Sequence, residues 1–476
     1  MSLSIPATEL DQKRTHAAPP WAMASLSLAM LLSSLATSIA NVGLPTLVRV
    51  FGSSFQAVQW VVLAYLLAVT TLIVSVGRLG DIVGRRRLML TGIAIFTASS
   101  VACGAAPGLW ALIAARVAQG FGAAVMMALA LAFVGDAVAP SERAGSAMGL
   151  LGTLSAIGTA LGPSLGGVLI ATLGWQAIFL VNLPLGLLAF GLAYKYLPVQ
   201  ASQSHRPPFD YRGSLLLALT LASYALSMTL GRGTFGAVNV TLLGGALCGA
   251  GLFLLVESKT LHPLLRPALL RNPIIGSGFA MSSLVATVAM STLVVGPFHL
   301  AGALHLDAAS IGLVMSAGPL VAALVGVPAG RAVDRFGAPR MTIAGLIAMA
   351  IGCIALSLVP AAYGVWGYIV PLVTVTAGFA NFQAANNTAV VAGIEAGQRG
   401  VVSGLLNLSR NLGLITGASA MGAVFSIAVG TRNIEAASAG AVAAGTRATF
   451  AVATALVFTA LMLALRSSSS RAGGRS

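Results

Sequence analysis

Apolar stretches recur almost end to end between Trp21 and Leu465. A helix that crosses a bilayer needs about 20 mostly apolar residues, and these stretches reach that length. They are apolar on nearly all sides instead of alternating with polar residues, which excludes the strands of a membrane barrel. We therefore predict an all-α polytopic membrane protein with fourteen spanning helices. The predicted spans are 21–47, 56–77, 88–105, 108–134, 144–171, 175–197, 213–231, 239–257, 273–302, 308–330, 340–360, 365–392, 400–429 and 447–466.

Composition and charge agree with a membrane protein and set its orientation. Hydrophobic residues make up 57% of the chain and the mean hydropathy is +0.94, which is too apolar for a water-soluble particle. The net charge of +15 falls on alternate loops, without the aromatic interleaving typical of a nucleic-acid binder. The opposite loops hold only Arg49, Arg232, Arg432 and Arg447. By the positive-inside rule both termini are expected in the cytoplasm, and no nucleic-acid partner is expected.

The chain contains an internal repeat. "VGRLGDIVGRRR" at 76–87 and "AGRAVDRFGAPR" at 329–340 share a G-R-x-x-D-x-x-G frame. A half of six helices takes roughly 190 residues, so the separation of the copies leaves room for two further spans. The predicted organisation is a six-helix bundle at 1–199, two inserted helices at 200–265, a second six-helix bundle at 266–466 and a disordered cytoplasmic tail at 467–476.

Three motifs give the sequence a family resemblance. "GRLGDIVGRRR" matches the loop signature of the major facilitator superfamily, and "ARVAQGFGAA" at 115–124 matches its R-x-x-Q-G signature. "GTALGPSLGG" at 158–167 matches the antiporter signature. The chain resembles the fourteen-helix drug:proton antiporter branch of that superfamily. The resemblance implies a monomeric bacterial inner-membrane transporter that exports small amphiphilic molecules in exchange for protons. It implies no enzyme activity, no cofactor and no metal.

The repeated loops are candidates for a conformational latch. The resemblance implies that Asp81 contacts the N-terminus of a later helix near Gly400, where the helix dipole favours an anion. By the repeat, Asp334 is expected to meet the fifth span near Arg143. The alternative is that both loops only set topology. The predicted latch residues are Gly77, Asp81, Gly84, Arg85, Gly330 and Asp334.

The fifth predicted span has almost no side-chain volume on one side. Small residues let helix backbones approach closely within a membrane. We therefore predict close helix packing at Gly158, Gly162, Pro163, Gly166 and Gly167.

Polar residues inside the spans are the candidate substrate or coupling groups. A polar group in a membrane is costly, so it is expected to have a function or a hydrogen-bonding partner. Several recur at the i, i+3, i+4 spacing that places them on one face of a helix. The alternative is simple interhelical hydrogen bonding. The candidates are Asn41, Arg116, Gln119, Gln383, Asn386, Asn387, Asn407, Arg410 and Asn411.

The acids depart from the family pattern. Many fourteen-helix antiporters carry an acid in the first helix, where this chain reads "LATSIANVGLP" with Ala36, and none of its eleven acids lies in mid-span. Asp136 and His299 remain as candidate proton carriers. With arginines and no deep acid in the spans, an exporter or facilitator of an anionic or zwitterionic metabolite is an alternative. A membrane sensor or enzyme is a more remote alternative.

Overall fold

The structure is a computed structural model that describes residues 20–138, 144–198, 211–230, 236–260, 272–358, 363–391, 399–431 and 437–473. Within these residues all regular structure is helical. The helices are α1 (Pro20–Phe51), α2 (Phe55–Val83), α3 (Arg85–Gly104), α4 (Leu109–Val138), α5 (Ala144–Leu173), α6 (Ala177–Leu180 and Asn182–Tyr196), α7 (Tyr211–Thr229), α8 (Ala237–Lys259), α9 (Pro273–Gly302), α10 (Ala308–Phe336), α11 (Ala338–Leu358), α12 (Gly364–Val391), α13 (Arg399–Thr416, a π-helical turn Gly417–Met421, and Gly422–Val429) and α14 (Ala439–Gly473).

The described residues contain twelve helices that are long and apolar enough to cross a membrane. Shorter apolar runs lie in the two other helices, at Ile157–Leu173 in α5 and Leu215–Tyr224 in α7. The protein is thus a multi-pass helical membrane protein with about twelve candidate spans. The count of fourteen crossings stays a prediction.

The helices pack in two groups that follow the repeat. In the first group α1 packs against α5, and α2 and α3 pack against α4. In the second, α9 packs against α13 and α14, and α12 packs against α10 and α11. One hydrophobic cluster is centred on α1–α6 and another on α9–α14. The candidate residues of α1 and α4 therefore belong to one helix group, and those of α12 and α13 belong to the other.

The two repeated loops fold into the same turn. Gly84 follows α2 with a φ of 99°, and Gly337 follows α10 with a φ of 84°. Each glycine donates its N–H to the carbonyl four residues earlier, Gly80 or Val333, at 2.9 Å. Left-handed backbone of this kind is accessible to glycine at little steric cost. The last glycine of the repeated frame therefore makes a sharp reversal between two helices.

The glycines of α5 lie where other backbones pass close by. A Cβ on Gly158 would meet the backbone of Leu31, and one on Gly162 would meet the side chain of Ser38. On the opposite side, a Cβ on Gly167 would lie 2.6 Å from the carbonyl oxygen of Ala308 in α10. Gly166 packs on Ile39 of α1, with its Cβ position 2.9 Å from Cγ1. Helix α5 therefore touches both groups of helices.

Helices α7 and α8, which lie in the predicted insert, pack on each other and on α13. The Tyr224 hydroxyl of α7 hydrogen-bonds Thr416, directly before the π-helical turn. Leu217 and Leu221 of α7 form a cluster with Phe253 of α8, against which Leu412 of α13 packs. Helix α7 also contacts α2. The insert therefore covers the place where α2 and α13 meet.

The end of the chain differs from the sequence prediction. Helix α14 continues to Gly473, well into the segment 467–476 that was predicted to be disordered. A helix that is already nucleated extends by one hydrogen bond per residue, so polar residues can continue a long apolar helix without a new nucleus. The prediction of disorder is wrong as far as Gly473.

Gly162→Ala is expected to destabilise the protein by roughly 1–3 kcal/mol, because the added methyl group is forced against Ser38 in a packed interface. The change will lower the midpoint of thermal unfolding in detergent. Gly244→Ala in α8 is the matched control, since a Cβ there meets no atom within 4 Å. Equal midpoints for the two variants would show that α5 does not pack as described.

Candidate functional site

Arg116 of α4 is fully buried, with 0% of its surface exposed. Its Nε donates to the carbonyl of Val61 in α2 at 2.8 Å. One terminal nitrogen donates to the carbonyl of Ala36 in α1 at 3.2 Å, and the other donates to Oε1 of Gln119 at 2.6 Å. The guanidinium also lies 4.3 Å from the ring centroid of Tyr65. All of these partners are neutral, and together they tie α4 to α1 and α2. We call this set of contacts the Arg116 clamp.

Gln119 and Gly120 complete this arrangement. Gln119 is also fully buried, and its Nε2 donates to the Ser100 hydroxyl of α3 at 2.7 Å. A Cβ on Gly120 would lie 2.6 Å from the carbonyl oxygen of Tyr65, so α2 and α4 touch there. The R-x-x-Q-G motif thus joins four helices. Neither Arg116 nor Gln119 lines an open cavity in this conformation.

His299 lies inside the second helix group and not between the groups. Its Nδ1 is 3.1 Å from the Thr446 hydroxyl of α14, and its ring stacks on Tyr368 of α12 with centroids 5.6 Å apart. These contacts hold α9 against α12 and α14. His299 therefore occupies a packing position near the end of α9.

The three polar residues of α12 divide between two sides of the helix. Asn386 is buried and donates to the carbonyl of Gly278 in α9 at 3.0 Å. Gln383 donates to Asn387 one turn away at 3.3 Å, and Asn387 is exposed. Asn386 thus makes an interhelical contact, whereas Gln383 and Asn387 pair with each other.

The polar face of α13 differs from that of α4. Asn407 and Arg410 are partly buried and Asn411 is buried. Nε of Arg410 is enclosed without any hydrogen-bond partner. On α1, Asn41 donates to the carbonyls of Thr37 and Ser38, while its Oδ1 is buried without a partner. Each of the three guanidinium nitrogens of Arg116 therefore donates a hydrogen bond, whereas Nε of Arg410 has no partner.

The predicted latch residues are only partly described. Nothing is described of the surroundings of Gly77 or of the side chains of Asp81 and Asp136, and Arg143 lies in the segment 139–143, outside the described residues. Asp334 is exposed at the end of α10, and Arg85 is partly buried at the start of α3. A Cβ on Gly330 would meet nothing within 4 Å, so no close approach requires glycine there in this conformation. The latch stays a prediction.

The two helix groups meet at one end of the molecule, which we call the Gly52 end after the turn between α1 and α2. There Nε2 of Gln56 donates to the Ser426 hydroxyl of α13 at 2.6 Å. Nε2 of Gln59 donates to the carbonyl of Ala418, in the π-helical turn, at 2.9 Å. The opposite end, at the turn between α2 and α3, is called the Gly84 end.

Aromatic contacts reinforce the Gly52 end. The ring of Phe55 lies edge-on to Phe298 of α9 at 4.6 Å between centroids, and Phe425 of α13 lies 5.8 Å away. Sequence reasoning missed these residues. Gln56 and Gln59 follow the i, i+3 spacing, but at the start of a span such residues read as interfacial groups.

This architecture defines the class of the protein as a polytopic helical membrane transporter built from two repeated bodies, with polar residues at the interface between them. The Major Facilitator Superfamily profile matches residues 26–418 and 275–475. The chain therefore belongs to the Major Facilitator Superfamily, whose members are transporters and not enzymes.

Named relatives resemble the chain over most of its length. It is 31% identical over 401 residues to the riboflavin transporter RibZ of Clostridioides difficile, covering 84% of this chain and 87% of RibZ. It is 30% identical over 407 residues to the multidrug resistance protein Stp of Mycobacterium tuberculosis, covering 83% of this chain and 74% of Stp. The chain thus resembles the drug-efflux branch.

A solved structure has the same fold. A bacterial homologue of the lysosomal transporter Spinster, in an inward-facing unoccupied conformation, aligns with a TM-score of 0.69 and 16% identity. The alignment covers 94% of this chain and 96% of that one.

Arg116→Lys is expected to lower the midpoint of thermal unfolding by about 5 °C or more. A lysine ammonium cannot reproduce the planar fork that reaches three acceptors, so buried carbonyls lose their donors. Arg447→Lys, at an exposed position of α14, is the matched control and should leave the midpoint unchanged. A midpoint for Arg116→Lys equal to that of the wild type would contradict the clamp.

Proposed function

We propose that the protein exports small amphiphilic molecules, in the manner of multidrug efflux, by proton-coupled antiport with alternating access. The observation that carries this proposal is the closure of the two helix groups at the Gly52 end. A transporter that binds its substrate between two bodies must open one end at a time. Here Gln56 and Gln59 join the bodies at one end, while Asp334 at the other is exposed.

The direction of transport is taken from the resemblance to drug-efflux proteins, and the predicted orientation agrees with it. The lysine and arginine pattern assigns the Gly84 end to the cytoplasm. With that orientation the structure is closed toward the outside, the state in which an exporter loads substrate from the cytoplasm. A monomer in a bacterial inner membrane, with fourteen spans and both termini cytoplasmic, is part of the same proposal. The pairing of α7 with α8 supports the two additional spans.

Proton coupling is part of the proposal because "GTALGPSLGG" at 158–167 matches the antiporter signature. Ala36 stands where many fourteen-helix antiporters carry an acid, so another group must carry the proton. Asp136 is our candidate carrier, because it lies in α4, the helix that holds the Arg116 clamp. His299 is less suited, because its ring is engaged with Thr446 and Tyr368 within one bundle.

Cross-linking Gln56→Cys to Ser426→Cys with a short bis-methanethiosulfonate is expected to stop transport, because the Gly52 end must open to release substrate. Flux of fluorescein and of rhodamine 6G into inside-out vesicles, driven by a pH gradient, is the measurement. A reductant should restore it. The background carries Cys248→Ala, since Cys248 is exposed whereas Cys103 and Cys353 are buried.

The matched control is Thr220→Cys with Gly249→Cys, a neighbouring pair that joins α7 to α8 within the insert. Its cross-link should leave flux intact. Continued flux with the Gln56–Ser426 link in place would contradict alternating access through that end. Flux that persists after the pH gradient is collapsed would contradict proton coupling.

A further inference from the structure

Several buried polar atoms among the described residues have no hydrogen-bond partner. Among the described residues, four such buried atoms lie on α1, α9 and α13: Oγ of Ser27, Oδ1 of Asn41, Oγ of Ser282 and Nε of Arg410. Buried polar groups in proteins are nearly always paired, so each unpaired group calls for an explanation. A ligand that is bound during the transport cycle would supply the missing partners.

Arg410 is positioned on the border between two contact surfaces of α13. One turn before it, Leu406 packs in a cluster with Phe279 of α9, and Gly413 lies against Ser283 of the same helix. One turn after it, Leu414 packs on the hydrophobic cluster that is centred on α1–α6 and also includes residues of α9 and α13. The Arg410 side chain is partly exposed. It is therefore directed at the space where α9, α13 and the first group meet.

Ser282 of α9 lies at the same level as Arg410. Gly413 sits beside Ser283 and Ala286, and helices α9 and α13 run in the same direction. Arg410 precedes Gly413 by three residues, or about 4.5 Å along the axis, which brings it level with Ser282. Ser282 lies between Gly278, which faces α12, and Ala286, which faces α13. An unused hydroxyl and an unused guanidinium nitrogen thus share one region.

Helix α1 supplies the facing side. Its Ser38 and Ile39 contact α5, and the carbonyl of Ala36 accepts from Arg116. The side left over by these contacts carries Met30, Thr37 and Asn41 at helical spacing, and α1 also packs on α9. This side adds a hydroxyl, an amide and a thioether, but no charge.

Arg410 gives this region a positive charge, and no carboxylate pairs with it among the residues that the structure describes. None of the eleven acids in the sequence lies in mid-span. The guanidinium of Arg116 already donates hydrogen bonds to carbonyls within the first helix group. A cation inside a membrane is costly unless it meets a partner. The partner that Arg410 lacks is best supplied by an anionic group, which can accept charge-assisted hydrogen bonds from the guanidinium.

We propose that the exported amphiphile carries an acidic group, a carboxylate or sulfonate, and that Arg410 binds this group with Ser282 beside it. The inference rests on the proposed function and names its substrate class. Met30 and Leu414 provide apolar surface for the remainder of the molecule. Cationic amphiphiles are excluded from the site by like charge.

The test uses two dyes with the same xanthene ring system, the anionic fluorescein and the cationic rhodamine 6G. The full-length protein is reconstituted in proteoliposomes with an imposed pH gradient, and flux is measured against dye concentration. Wild type is expected to transport fluorescein. Arg410→Gln should raise the half-saturating fluorescein concentration about 10-fold or more, the range of a lost hydrogen bond to a charged group. Arg410→Lys, which keeps the charge, should restore most of the loss.

Arg447→Gln is the matched control, because it removes one exposed cation from α14 and should leave fluorescein flux unchanged. Equal fluorescein flux in Arg410→Gln and wild type would overturn the inference, and so would an equal loss for both dyes. The wild type alone gives a second test if Arg410→Gln fails to fold. Transport of rhodamine 6G without fluorescein would refute the acidic substrate but keep the proposed exporter. Transport of neither dye would contradict both.

Discussion

The structure depends on a single constraint, which is that a cation placed inside a bilayer must find oxygen atoms to bind. Arg116 meets this constraint with the carbonyls of Ala36 and Val61 and the amide of Gln119. Its clamp fixes α1, α2 and α4 as one body. Arg410 meets it only in part, because its Nε is enclosed without a hydrogen-bond partner. One arginine therefore uses its donors within the fold, and the other keeps a donor unused.

Two rigid bodies can move against each other only if the contacts between them are reversible. Helix α5 packs on α1 through Gly158 and Gly162 within its own body, and on α10 through Gly167 in the other. Backbone contacts of this kind fix a distance without locking side chains together. The hydrogen bonds of Gln56 and Gln59 at the same end are neutral and exchange readily. A π-helical turn beside Ala418 is a further place where α13 can adjust, since such turns frequently occur at functional sites.

The sequence predicted the helices well because bilayer thickness leaves a strong apolar signal. Predicted spans such as 144–171 and 273–302 lie close to α5 and α9. The repeat was readable from two twelve-residue stretches, and the structure gives both the same glycine turn.

Disorder after 466 was predicted from serine and arginine composition, which carries no information about whether a preceding helix continues. The role of Arg116 was not readable either, because its acceptors are backbone carbonyls, which every residue has. The aromatic contact at Phe55 depends on which helices meet across the two bodies, and periodicity does not encode that.

Alternating access between these two bodies is the central claim, and pulsed electron paramagnetic resonance distances test it most directly. One spin-label pair spans the Gly52 end at Trp110 and Tyr363, which are 69% and 68% exposed. A second pair spans the Gly84 end at the exposed residues Val83 and Phe336. Without substrate we expect a short distance at the Gly52 end and a long one at the Gly84 end. During transport driven by a pH gradient, the first distance should lengthen while the second shortens. Distances that stay fixed at both ends, or that change in the same direction, would contradict the account.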